Sequence, residues 1–385
     1  MNFRVRSIDG CRGLAAIIVL FTHFFPLFFP AVLWGQEYIH LQHGLDYLIG
    51  QTIPIPSAYS GVALFFIITG FGTYIAVDGG NIDIRKYLLL RYFKLLLLTL
   101  LGALPVILLL QANLVFVDDI AHSVKSPWFH NWPSPQLSLW YNLLHEPLAS
   151  LKEFNGVLWT MEYFFIGTLL SFILTRIFSR SLRGNIYISL IAILIMVNLC
   201  QYYYISFVAG VLMAYCYKYK PSIFQTSTPA KIIIFLTALY FCSYPTGVVG
   251  PEGIYLQHDF EKAYIPYNTL GAILIALMVL MPQSMMKQAM ESKVFQWLGH
   301  YSMGIYLVHF PLVISLMAFL YQQLPASLAY PHRIMLLMLV YTMCGIGAGI
   351  PVQAVGDYLF RLTDRMYKHI FGKYSEEQHH KGNLG

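Results

Sequence analysis

Ten apolar stretches, joined by short polar or basic segments, dominate this chain and leave it little choice of fold. They lie near 14–29, 60–77, 87–110, 157–177, 186–199, 205–217, 232–244, 265–281, 301–320 and 334–358. A helix of about 17–25 apolar residues crosses a bilayer because hydrocarbon offers no partner to a backbone amide, and a helix satisfies its own. The fifth to seventh stretches fall short of that length, which implies tilt, a thinned bilayer, or ends that take in aromatics such as Tyr202 and Tyr204. The expected fold is an all-α membrane protein of about ten transmembrane helices. Only 11% of the residues are charged, against about 25% in a soluble domain, so a water-soluble enzyme is excluded.

The basic residues give the orientation. With the N-terminus in the cytoplasm and sides alternating, 20 of the 24 Lys and Arg residues fall on the inner face, leaving Lys125, Lys152, Lys262 and Arg333 outside. That asymmetry places both termini in the cytoplasm. The net charge of +6 then reports topology and attraction to membrane lipid headgroups, with no nucleic-acid partner implied. Residues 1–358 read as one membrane domain and 359–385 as a basic polar cytoplasmic tail. Outer loops near 111–155 and 245–264 hold most other polar residues, and Trp128, Trp132, Trp140 and Tyr141 in the first of them could stack on sugar faces or form an interfacial aromatic belt. The five cysteines and the histidines show no zinc-type spacing, so no metal is expected.

Two ionisable residues in the first stretch stand where lipid should reject them, Arg12 and His23. Eleven helical steps of about 100° come to roughly 20° past three full turns, so both side chains share one face, about 16 Å apart along the axis. Asp9, three residues before Arg12, can pair with it and hold the guanidinium at the inner rim. A neutral imidazole about halfway across the bilayer could accept a proton, as acyl transfer to a hydroxyl requires. The alternative is a snorkelling arginine and a histidine bonded to a neighbouring helix.

Four other segments carry candidates. In the second stretch, Gly61, Thr69, Gly70 and Gly72 suit close helix packing. The third opens with Arg85, Lys86, Arg91 and Lys94, and with Arg12 the last two could form a basic mouth for phosphates. Glu162 stands near the outer end of the fourth stretch, either orienting an acceptor or resting at the interface. In the ninth, Tyr306 and His309 share a face, where the alternative is a packing histidine.

Three of these segments occur in order and at the right spacing for a known pattern. They are Asp9-Gly10-Cys11-Arg12-Gly13-Leu14-Ala15-Ala16 followed by His23; Gly61-Val62-Ala63-Leu64-Phe65-Phe66-Ile67-Ile68-Thr69-Gly70-Phe71; and Leu298-Gly299-His300-Tyr301-Ser302-Met303-Gly304-Ile305-Tyr306-Leu307-Val308-His309-Phe310-Pro311. Over essentially its whole length the chain resembles the acyltransferase-3 family of integral membrane acyltransferases, which contains many sugar O-acetyltransferases.

The resemblance implies that Arg12 and His23 are the family's essential first-helix pair and that Arg91 and Lys94 occupy its paired-basic positions. Lys94 departs from the more usual arginine, keeping the charge but losing the bidentate fork. Thr69 stands where serine is common. The family's acidic residue often falls five places after the tryptophan; here that place is Phe164, and Glu162 comes three places after Trp159.

The implied activity is O-acyl transfer, acetyl first among the candidates, from acetyl-CoA or another acyl-CoA to a hydroxyl of a cell-surface carbohydrate such as a lipopolysaccharide O-antigen or exopolysaccharide. His23, Arg12 and Glu162 are the expected catalytic residues, and Arg12, Arg91, Lys94, Thr69, Tyr306 and His309 the expected donor-binding set. No permanently bound cofactor is expected. The partners are the acyl-CoA, a carbohydrate or lipid-linked glycan and membrane lipids, with homo-oligomerisation left open. The location is the inner, cytoplasmic membrane. A transporter or flippase of envelope precursors is the rival, since proton relays also place Arg and His in spans, but no repeated half or matched pair of broken helices supports it.

Overall fold

The computed structural model describes residues 5–34, 38–80, 82–117, 148, 150–247, 253–256, 264–325 and 327–382. Trp128, Trp132, Trp140 and Tyr141 lie outside them. Every regular element among the described residues is helical. The principal helices are α1 (Arg6–Phe28), α2 (Ala58–Val77), α3 (Ile84–Gln111), α4 (Thr160–Ile177), α5 (Leu182–Asn198), α6 (Tyr204–Tyr219), α7 (Thr228–Cys242), α8 (Tyr264–Leu280), α9 (Lys293–Leu312) and α10 (Tyr330–Gly382). Each of the ten apolar stretches is therefore helical.

Among the described residues, six helices are long and apolar enough to cross a membrane: Arg6–Phe28, Ala58–Val77, Ile84–Gln111, Gly156–Ile177, Lys293–Gln323 and Tyr330–Tyr367. A seventh candidate is α8 with the short helix Met285–Glu291, bent from it by 77°. The bend follows from Pro282, which cannot continue a helix, and from Ser284, whose hydroxyl caps the next one at the Lys287 amide. α5 and α7 are apolar but shorter.

Helix starts are written locally. Ser57, Asp83, Ser181, Ser227 and Ser292 are N-caps whose side-chain oxygens accept from amides in the first turns of α2, α3, α5, α7 and α9. At the end of α9, Pro311 lacks an amide proton, and the chain passes through a π-turn over Val313–Met317 before resuming as helix. α10 continues beyond 358, where a polar tail was expected, through Gly382. With no proline after Pro351 and many good helix formers, nothing halts propagation once the apolar part has nucleated it.

The centre of the bundle is α1 packed between α9 and α2, with α4, α6 and α8 around α2 and α10 against α9. A Cβ on Gly299 would fall 2.1 Å from the Asp9 carbonyl oxygen, and one on Gly13 would fall 2.7 Å from the Gly299 amide nitrogen. Backbone thus meets backbone at the α1–α9 crossing, beside Arg12. The small residues of α2 work in the same way: a Cβ on Gly70 would meet the Phe207 carbonyl at 2.4 Å. At the periphery, α5 and α7 expose Ile191, Leu194, Ile233 and Leu236, as lipid-facing helices would.

The basic loop ends are tied to each other. Arg176 donates to the Gly80 and Ile82 carbonyls, and Lys218 and Tyr219 both donate to Asp78 Oδ2. Burial alone would raise the Asp78 carboxyl; the hydrogen bonds from Lys218 and Tyr219 outweigh it and hold it below the usual carboxylate range.

Candidate functional site

Two cavities, one near each end of α1, divide the site residues between them. The first, of about 370 Å³, is lined by Arg12, Thr69, Arg91 and Lys94, with Asp9, Gln353 and Asp357 also in its wall. Three cations come together because α1 and α3 each carry basic residues in their second and third turns at the same end of the bundle, where α9 crosses α1 at Gly299. Their surroundings differ. Arg12 Nη1 is 3.9 Å from Asp9 Oδ1, the i,i+3 pair expected from spacing, at a length that leaves it weak.

Lys94 Nζ is 2.8 Å from Asp364 Oδ1 and packs over the Phe360 ring, both on α10. Arg91 Nε is buried without a hydrogen-bond partner. A buried guanidinium nitrogen left unmatched beside a cavity fits an anionic ligand, because a bound phosphate would supply the missing acceptor. The Thr69 hydroxyl donates to the Phe65 carbonyl (2.9 Å), which leaves its oxygen able to accept. Gln353 links α9 to the wall by accepting from the Gly304 amide and donating to Asp357 Oδ1 at 2.8 Å.

The second cavity, of about 310 Å³, is lined by His23, Tyr59, Trp159, Tyr264 and Tyr306, with Thr22 and Ser57 among its polar groups. His23 Nδ1 lies 2.8 Å from the Val19 carbonyl oxygen. A carbonyl only accepts, so Nδ1 carries the proton and the lone pair of the neutral ring is on Nε2. Tyr59 stands 4.8 Å from Tyr264 and 6.5 Å from Trp159 between ring centroids, and Tyr203 backs them, 6.1 Å from Tyr59 and 5.0 Å from Trp159. The rings brace each other and form a rigid aromatic wall.

A thin partition separates the cavities. Phe65 lines the basic one, and its ring meets Tyr306 of the aromatic one edge-on at 5.7 Å. The Tyr306 hydroxyl donates to the Val157 carbonyl (2.7 Å) and lies 2.8 Å from Thr160 Oγ1. Asn155 fixes this turn, accepting from the Val157 amide and donating to the Gly102 carbonyl at 2.8 Å.

The expected residues therefore fall into three groups. Arg12, Thr69, Arg91 and Lys94 share the basic cavity, while His23 and Tyr306 face the aromatic one. His309 is fully buried and lines neither; it lies behind His23 with 4.7 Å between ring centroids. Glu162, half-buried in the first turn of α4, also lines neither. Sequence reasoning passed over Tyr59, Tyr264, Asn155, Gln353, Asp357 and Asp364. Asn155, a polar residue just ahead of a span, and Gln353 and Asp357, polar residues inside the tenth apolar stretch, carry local signals; Tyr59, Tyr264 and Asp364 carry none. No group of three His, Cys, Asp or Glu residues able to hold a metal ion occurs among the described residues.

A helical membrane protein with an anion-fitting cavity and an aromatic cavity that an imidazole lines has parts that suit a membrane acyltransferase. The chain belongs to the acyltransferase-3 family: that family's acyltransferase domain matches residues 5–352. Over 90 residues it is 36% identical to Acyltransferase R4 of Phoma sp., a stretch that covers 22% of this chain and 19% of that protein. No solved structure matches it.

Proposed function

We propose that this membrane acyltransferase moves an acyl group, acetyl first among the candidates, from acyl-CoA to a hydroxyl of a carbohydrate or lipid-linked glycan. The observation that carries the reading is the pairing of two chemically unlike cavities across one partition. The basic cavity holds the donor's phosphates on Arg91, Arg12 and Lys94, with its thioester directed past Phe65 and Tyr306. The aromatic cavity takes the acceptor, whose sugar ring stacks on Tyr59, Trp159 or Tyr264. His23 Nε2 removes the acceptor's hydroxyl proton as the oxygen attacks the thioester carbon. The carbon–sulfur bond then breaks, and the departing thiolate takes that proton as free CoA. The same reading uses ten spans, both termini in the cytoplasm and a cytoplasmic-membrane location, which puts the basic cavity on the side where acyl-CoA is made.

Asp364 enters the reading as a competitor. Donor phosphates must displace its carboxylate from Lys94. Asp364→Asn is expected to lower KM for acetyl-CoA by up to about five-fold, the equivalent of ~1 kcal/mol for a partly exposed pair, with kcat unchanged. Steady-state kinetics over a range of donor concentrations checks this, and an unchanged or raised KM contradicts it.

The activity itself is tested by comparing surface glycans of cells with and without the gene. Loss of a base-labile acetyl ester is the expected result. Unchanged glycans, together with no acetyl-CoA-dependent ester formation by the purified protein, would favour transport over transfer.

A further inference from the structure

His309 is a histidine whose placement the scheme above leaves unexplained. Its Nδ1 is 2.6 Å from the Tyr306 carbonyl oxygen, which can only accept, so Nδ1 carries the proton and Nε2 presents a lone pair. That Nε2 is buried and has no hydrogen-bond partner. The neighbouring hydroxyls are turned to other acceptors: Tyr306 to the Val157 carbonyl, and Tyr341 to the His309 carbonyl at 3.2 Å. The closest ring is His23, at 4.7 Å between centroids and 67° between planes, against 5.6 Å for Tyr306. An acceptor without a donor at this depth is a cost that an apolar residue of similar size would avoid. Here the ring that carries the uncompensated lone pair is packed against the base itself.

Building on the acyl-transfer reading, we propose that His309 is a positioning residue whose unpaired Nε2 stabilises His23 while it holds the acceptor's proton. When the acceptor O–H bond breaks, the proton passes to His23 Nε2 and the new oxygen–carbon bond forms. His23 is then an imidazolium, and the His309 ring packed against it, with its unpaired lone pair, stabilises that charge while the tetrahedral intermediate exists. As the carbon–sulfur bond breaks, the thiolate sulfur takes the proton, and His23 returns to the neutral state. His309 neither gains nor loses a proton overall. Its Nδ1 bond to the helix backbone keeps the accepting nitrogen fixed through each turnover.

The test uses the full chain in detergent, acetyl-CoA as donor, water and methyl glucoside as acceptor probes, and CoA thiol release as the signal. His309→Leu should lose about 100-fold in kcat, keep KM for acetyl-CoA within about two-fold, and unfold close to the wild-type temperature, because loss of the Nδ1 bond to the Tyr306 carbonyl is offset by removal of the unpaired, buried Nε2. His309→Gln, which restores an accepting oxygen, should stay within about ten-fold of wild type in kcat. A leucine variant within about three-fold of wild-type kcat would overturn the inference, as would equal losses in the leucine and glutamine variants. Wild-type protein that releases no thiol would remove the acyl-transfer reading beneath it, and the inference with it.

Discussion

Replacing His23 with glutamine is expected to cut kcat for acyl transfer by about 10²–10⁴ while KM for acetyl-CoA hardly changes. The split follows from the geometry. His23 lines the aromatic cavity, whereas the donor's charged groups are assigned to the basic one, so the substitution removes a proton acceptor without touching the phosphates. Glutamine can still donate to the Val19 carbonyl that now holds His23 Nδ1, so helix α1 keeps its local bonding. The measurement is acetyl-CoA-dependent ester formation by purified protein at matched amounts. Full turnover in the glutamine variant would mean that the base lies elsewhere and the two-cavity scheme is wrong.

Arg91→Met should act on the other half of the reaction. A buried guanidinium that hydrogen-bonds a phosphate contributes about 2–3 kcal/mol, so KM for acetyl-CoA should rise roughly 30–150-fold, with a smaller change in kcat. Folding should not suffer, because Arg91 Nε has no protein partner to lose and methionine refills the space with an apolar chain. Arg91→Lys should fall between the two, since it keeps the charge and loses the planar fork. Donor saturation curves and thermal unfolding of the same preparations read both effects. A methionine variant with wild-type KM would separate Arg91 from the donor.

How much of this was legible beforehand varies by residue. Arg12 and His23 stood out because each is costly in lipid, and one helix fixes their spacing whatever the rest of the chain does. The basic first turn of α3 was visible as a charge cluster, and the glycines of α2 as packing residues. The partners of these groups were not visible. Lys94 was read as free for phosphate, and it meets Asp364 on the last helix. Tyr306 and His309 were grouped with the donor cations because they share a motif, yet Tyr306 faces the aromatic cavity and His309 is sealed behind His23. Tyr59 and Tyr264 had no distinguishing pattern among 28 tyrosines.

The positions of the helices and the common face of Arg12 and His23 on the first of them follow from the sequence, because they depend on local rules: apolar length and helical pitch. The division into two cavities, the Phe65–Tyr306 partition, the Asp364 counter-ion and the contact between two imidazoles were settled only by the tertiary structure. Each joins residues on different helices, and which faces of two apolar helices meet depends on how their small residues interlock, as at Gly13 and Gly299, which periodicity within either helix alone does not encode.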